Sequence, residues 1–218
     1  MKYQNPIIRG FHPDPSICRV GSDYYLVTST FEYFPGIALF HSRDLVNWKQ
    51  IVNCITRPGQ LDYAKFKDSG GVWAPTIRCY KGRFYVTAAI DGMGNMIMHT
   101  DDINGEWSAP VWTDFGGIDP SICFDGDEAY YCTNDFTNGH EAIVLAKIDP
   151  DTGYVRKNAV KSGMVQAAVG WKARMSTTLE TIIISLRQRA EQIIHIWRLQ
   201  RAVKIFMVHM KTAHTIQF

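Results

Sequence analysis

The chain has no uncharged apolar run approaching the ~20 residues a membrane-spanning helix needs. Its first ten residues, MKYQNPIIRG, lack the apolar core of a secretory signal. Paired cysteines are lacking too. There are five, Cys18, Cys54, Cys79, Cys123 and Cys132, an odd count without a CxxC of zinc spacing. These absences predict a cytoplasmic protein with reduced, buried thiols, no membrane partner, no metal and no cofactor. Charge of one sign is also missing, since the net charge is +2 with 20% charged residues, and no nucleic-acid partner is expected. At 46% hydrophobic, the chain holds enough apolar side chain to fold.

The deficits are not evenly spread. Residues 1–161 carry 15 Lys+Arg against 19 Asp+Glu, whereas residues 162–218 carry 8 against 2. All 9 Pro and all 10 Tyr precede residue 162. The last stretch has no Asp, Asn, Pro, Tyr or Cys, yet holds 8 Ile and 4 of the 8 Met. Two parts so different were not selected to pack together, so the chain divides into a folded part, 1–161, and an aberrant tail, 162–218.

What the first part does contain is a repeat. Asp14-Pro15-Ser16-Ile17, Ala74-Pro75-Thr76-Ile77 and Asp119-Pro120-Ser121-Ile122 correspond, at spacings of 60 and 45 residues. Ten residues after each Pro stands a Tyr, at 25, 85 and 130, with a glycine between at Gly21, Gly82 and Gly126. Each unit reads as strand, tight turn, strand. Two units continue into Ser42-Arg43-Asp44-Leu45-Val46-Asn47-Trp48 and Thr100-Asp101-Asp102-Ile103-Asn104-Gly105-Glu106-Trp107, whose Trp is expected to cap an outer strand. Short aromatic strands without helical periodicity predict an all-β protein built of three propeller blades. A sandwich of meanders would give no reason for a fixed Pro-to-Tyr spacing.

The first strand of a blade lines the channel of a propeller. Asp14 and Asp119 open that strand in the same Asp-Pro-Ser-Ile setting, and Pro suits a strand's first residue. A single Asp there would read as a turn cap. Two at matching positions read as a carboxylate pair, which glycosidic hydrolysis requires. The third unit offers Trp73 and Ala74, and an indole face binds the apolar face of a sugar. Phe31, in Thr30-Phe31-Glu32-Tyr33-Phe34-Pro35-Gly36, is expected to wall the pocket, while Phe34 reads as a packing residue.

These motifs carry a family resemblance. Asn5-Pro6-Ile7-Ile8-Arg9-Gly10-Phe11-His12-Pro13-Asp14-Pro15-Ser16 resembles the opening of the family 43 glycoside hydrolases. Phe31-Glu32-Tyr33-Phe34-Pro35-Gly36, His41-Ser42-Arg43-Asp44-Leu45 and Gly70-Gly71-Val72-Trp73-Ala74-Pro75 are similar to its β-xylosidase branch. The resemblance implies a five-bladed β-propeller, of which about three blades are present. It also implies hydrolysis with inversion of xylo-oligosaccharides or arabinosyl-oligosaccharides from the non-reducing end. Asp14 is then the general base, and Asp119 orients the general acid and raises its pKa. Trp73, Phe31 and Ala74 contact substrate. Some members carry a channel calcium, which this sequence does not identify. A non-catalytic sugar-binding propeller is the alternative. An invertase-type retaining enzyme would need an Asn-Asp-Pro-like nucleophile, which His12-Pro13-Asp14-Pro15 is not.

The family's acid is a Glu in a Glu-Gly-Pro-His type of motif in the fourth blade, and no such motif appears here. Glu180 and Glu191 are the only acidic residues after 151, and neither precedes a Pro. The genetic code offers a reason. Joining the last base of each codon to the next two, Trp171-Lys172 must read GAA, a Glu. Met164-Val165 and Met207-Val208 must read Gly, and Met210-Lys211 must read Glu. With permitted codons elsewhere, Met164 to Ser185 can read N-G-T-G-G-R-W-L-E-G-P-H-V-Y-H-I-G-D-Y-Y-Y-L. There a Pro follows the forced Glu by two residues and precedes a Tyr by ten, as in the other units. The tail is therefore read as out-of-frame translation beginning near Gly163. An unrelated basic tail, with a helix over 179–208, is the competing expectation.

Overall fold

The computed structural model describes residues 4–135, 142–155 and 160–162, so the expectations for the tail beyond 162 lie outside the described residues. The described part is all β apart from one 3-10 turn at Tyr63–Lys65. Twelve strands form three four-stranded antiparallel sheets. The first contains β1 (Ser16–Val20), β2 (Asp23–Thr28), β3 (Gly36–Ser42) and β4 (Lys49–Ile55). The second contains β5 (Val72–Tyr80), β6 (Arg83–Ile90), β7 (Gly94–Thr100) and β8 (Val111–Trp112). The third contains β9 (Ile118–Asp125), β10 (Glu128–Asp135), β11 (Ala142–Ile148) and β12 (Val160–Ser162). Each sheet is a meander in chain order, and β1, β5 and β9 are neighbours. First strands together, meanders running outward: this is the blade arrangement of a β-propeller.

Each inner hairpin closes through two residues. Val20 pairs with Asp23, Tyr80 with Arg83 and Asp125 with Glu128. Gly21 and Gly126 take the first central position with φ of 61° and 55°. Lys81 and Gly82 are both left-handed, at 49° and 83°. Primed turns need those positive angles to match the strand twist, which is why a glycine sits in every one.

The middle blade is covered on both faces, and its sequence shows it. From Phe84 to Ile90, FYVTAAI, every residue is buried. Phe84, Val86, Ala88, Ile90, Met96 and Met98 pack against Val27, Ile37, Leu39 and Ile55 of the first blade. Tyr85 and Ile97 pack the other way, against Ile122, Ala129, Tyr131 and Ile148 of the third. The two faces alternate along the strand, as side chains must. Polar links cross the same seams. The Ile77 N–H donates to Ser16 Oγ at 3.3 Å, and Thr87 Oγ1 and Tyr131 OH share a hydrogen bond of 3.2 Å. Burial pushes the Tyr131 phenol well up.

The Ser/Thr-x-Asp motifs are turns. Ser42 Oγ accepts from the Asp44 and Leu45 N–H groups, and Asp44 Oδ1 accepts from those of Val46 and Asn47. These donors, Asn47 first, hold the Asp44 carboxyl below its ordinary range. Thr100 and Asp102 rebuild the turn in the second blade. Trp48 directly precedes outer strand β4, with its indole N–H on Leu45 O at 3.0 Å. Trp107 departs from the expectation: at 2% exposure it is core between the first two blades. The cysteines depart as well. All five are free, but only Cys54 is buried, while the other four, on β1, β5, β9 and β10, are partly exposed. Burial nonetheless pushes the Cys18 thiol up to about 12.

One glycine is required by contact. Gly71 has φ of 87°, and a Cβ on it would lie 2.3 Å from the Phe31 carbonyl oxygen. That carbonyl is engaged in a bridge, since Phe31 and Val72 exchange N–H···O bonds of 3.0 Å in both directions. Gly71→Ala is expected to lower stability by more than ~2 kcal/mol, combining a left-handed non-glycine with a broken inter-blade bridge. Urea denaturation checks it, and an unchanged midpoint would refute the tight approach.

Candidate active site

The three repeat units converge on one backbone irregularity. In the second blade Thr76 pairs with Thr87 but Trp73 pairs with Ala89, so β5 holds one extra residue. In the third, Ser121 pairs with Cys132 but Ile118 with Asn134, the same one-residue bulge. In the first, Ser16 pairs with Val27, and the Ser29 N–H reaches Pro13 O at 3.0 Å, again three residues against two. The bulge contains Asp14-Pro15, Ala74-Pro75 and Asp119-Pro120. A bulge is where a strand tolerates Pro and re-aims a side chain.

At each bulge the residue before Pro is left-handed. Asp14 and Asp119 both have φ of 52°, and Ala74 has 25°. This conformation is sparsely populated outside glycine, and the following Pro restricts it further, at a cost of ~1–3 kcal/mol each. Three such residues at one repeat position mark the place where the blades carry special geometry. Asp14 and Asp119 therefore occupy equivalent positions at the start of two inner strands, with Ala74 between them in the blade order.

Asp14 is part-buried and accepts a hydrogen bond of 2.9 Å from Ser29 Oγ on Oδ2. Asp119 is exposed. As the repeat aligns them, Ala74 is the equivalent of the two Asp, and the register matches Trp73 to Pro13 and Ile118. Its indole N–H is tied to Ser69 O at 3.0 Å, which fixes the ring on the loop before β5. A backbone bridge joins Phe31 to Val72, the residue before Trp73. Phe34 is less of a packing residue than expected: it is 49% exposed, with one edge contact to Tyr63.

Three residues of this region were not singled out in the sequence. Phe11 stands 5.7 Å from Phe31 and 6.0 Å from Tyr33, ring centre to centre, and both Phe11 and Tyr33 are about 60% exposed. With Ser29 and Thr30 they line an open cleft of about 550 Å³. The cleft runs on to Ala38, Gln50 and Asn53, and its lining includes Ser29 but not Asp14, Phe31, Trp73 or Ala74; its exposed aromatics suit an amphipathic ring such as a sugar. Ser29 could have been found by counting back equally from both sides of the Gly21-Ser22 turn, which sets it opposite Asp14. Among the described residues no three His, Cys, Asp or Glu side chains gather as they would around a metal ion.

Two equivalently strained Asp residues on blades of one sheet array, with exposed aromatics near the first, define a β-propeller protein with a surface suited to a sugar ring. Residues 3–178 match the model of glycosyl hydrolases family 43, and the chain belongs to that family. It is 44% identical over 156 residues to a non-reducing end alpha-L-arabinofuranosidase of Bacteroides ovatus, covering 69% of this chain and 29% of that one. It is 42% identical over 142 residues to a beta-xylosidase of Bacillus subtilis (strain 168), covering 62% and 27%. Among solved structures, a xylan beta-1,4-xylosidase from Bacillus halodurans C-125 superposes with a TM-score of 0.67 at 36% identity, covering 75% of this chain and 34% of that one. The chain thus spans about a third or less of the length of these three relatives.

Proposed function

We propose that the chain is the front part of an inverting glycosidase that removes xylose, or arabinose, from the non-reducing end of xylo-oligosaccharides. The observation that carries this reading is the shared bulge, which gives Asp14 and Asp119 one strained geometry on two blades of a family 43 chain. In the proposed mechanism Asp14 takes a proton from water as the water attacks the anomeric carbon. The leaving oxygen receives a proton from a Glu, and Asp119 holds that Glu in place. The negative charge of Asp119 disfavours ionisation of the Glu and keeps it protonated near neutral pH. Trp73, Phe31 and Ala74 shape the pocket around the terminal sugar. Inversion requires base and acid about 6.5–9.5 Å apart, so that water fits between anomeric carbon and base.

The acid belongs to the fourth unit, which this reading places in the shifted frame after Gly163. The forced Glu at Trp171-Lys172, two residues before a permitted Pro, supports it. The family match runs on to residue 178, past that break, so the nucleotide sequence is the direct test of the frame. Function is tested by proton NMR of the sugar first released by the frame-restored enzyme from xylobiose and from an aryl arabinofuranoside. Release of α-xylose from the β-linked substrate supports the proposal. Release of the β anomer would replace the water-activating role of Asp14 with a covalent one.

A further inference from the structure

We infer that Ser29 is a positioning residue for Asp14, and that this second-strand position is matched to the first-strand bulge in every blade. The inference deepens the proposed function and rests on its assignment of Asp14 as the base. Ser29 is 1% exposed and grips the bulge twice. Its N–H donates to Pro13 O at 3.0 Å, and its hydroxyl donates to Asp14 Oδ2 at 2.9 Å. The first bond sets the backbone that forces Asp14 left-handed, and the second sets the rotation of the carboxyl on that backbone. A hydrogen bond to an ionised acceptor is among the stronger kinds, and its donor here is buried.

The repeat supplies an internal comparison. Opposite the bulge stand Ser29, Ala89 and Asn134, while the bulge itself carries Asp14, Ala74 and Asp119. Where the bulge holds a carboxylate, the opposing residue has a side-chain donor. Where it holds alanine, the opposing residue is alanine, 3% exposed. Packing alone would not require this match, since Ala89 shows that the site accepts a methyl group. A carboxylate that must point at a water does require a donor. Asn134 is the counterpart of Ser29 in the third blade and pairs with Ile118, the residue before Asp119.

The test has two parts. In the 218-residue chain, the Asp14 13Cγ resonance at fixed neutral pH is compared in parent, Ser29→Ala and Ser29→Thr. The signal is expected to move in Ser29→Ala and to return in Ser29→Thr. No movement in Ser29→Ala would show that the hydroxyl is not on the carboxylate and would overturn the inference whatever the enzyme does. In the frame-restored enzyme, Ser29→Ala is expected to lower kcat about 10- to 100-fold with KM nearly unchanged, the scale of a misplaced reacting group. Ser29→Thr should recover most of it, and Ala89→Ser should leave kcat alone. Equal loss in all three variants, or a rise in KM alone, would make Ser29 structural and overturn the inference. Asp14→Ala in the same background separates the two claims. If it keeps full turnover, the assignment of the base fails and Ser29 falls with it. If it is inactive while Ser29→Ala is fully active, only the inference fails.

Discussion

The 218-residue polypeptide, expressed as written, is expected to hydrolyse p-nitrophenyl β-xyloside barely above background. On the proposed reading it keeps Asp14 and Asp119 but no in-frame acid, so the leaving oxygen departs unprotonated. General acid assistance is typically worth ~10²–10⁴-fold. The loss should be larger, because the cleft at Ser29 is open along the outer strand of the first blade, at Gln50 and Asn53. A pocket there lacks the walls that exclude water and orient a sugar. Restoring the frame after codon 163, with the gene downstream, should raise turnover by at least the same factor. A purified 218-residue chain with ordinary turnover would refute both the frame argument and the assignment of the acid.

Replacing Asp14 by alanine in the restored enzyme is the second large effect. Water is a poor nucleophile until a base takes its proton, and no neighbouring bulge can substitute, because Ala74 carries no carboxylate. A fall of ~10²–10⁴-fold in kcat with little change in KM is expected for an aryl glycoside. Asp119→Asn should behave differently. It removes the charge that keeps the acid protonated, so its loss should be small for an activated aryl leaving group and large for xylobiose, whose leaving oxygen needs the proton. Steady-state kinetics on the two substrates separate these roles. Equal sensitivity of both variants to the leaving group would contradict the division of labour between base and orienting carboxylate.

The repeat was legible because its determinants are local. Pro, turn glycine and Tyr recur at set distances, and a two-residue turn dictates which residues face each other across a hairpin. Blade number, strand order and the equivalence of Asp14 with Asp119 follow from those distances. Trp73 was harder. The repeat already aligned Ala74 with the two Asp, and the pairing of Trp73 with Ala89 adds that the indole stands one residue before the left-handed position. Trp107 was expected to cap an outer strand, but its indole is core, because the loop after β7 folds back over the seam between two blades.

The sequence by itself determined that this is a blade array with two matched carboxylates, since turn chemistry and side-chain alternation act between near neighbours. Only the tertiary structure decided the left-handed bulge, the double grip of Ser29 on Pro13 and Asp14, and the gathering of Phe11, Phe31 and Tyr33. It also decided which faces are buried: FYVTAAI is buried throughout, Thr87 included, because blades lie on both sides of it, while Leu26, Ala38 and Phe40 pack against Ile8, Ile17 and Trp48. Those features depend on where one blade sets its neighbour, and no spacing along the chain encodes that distance directly.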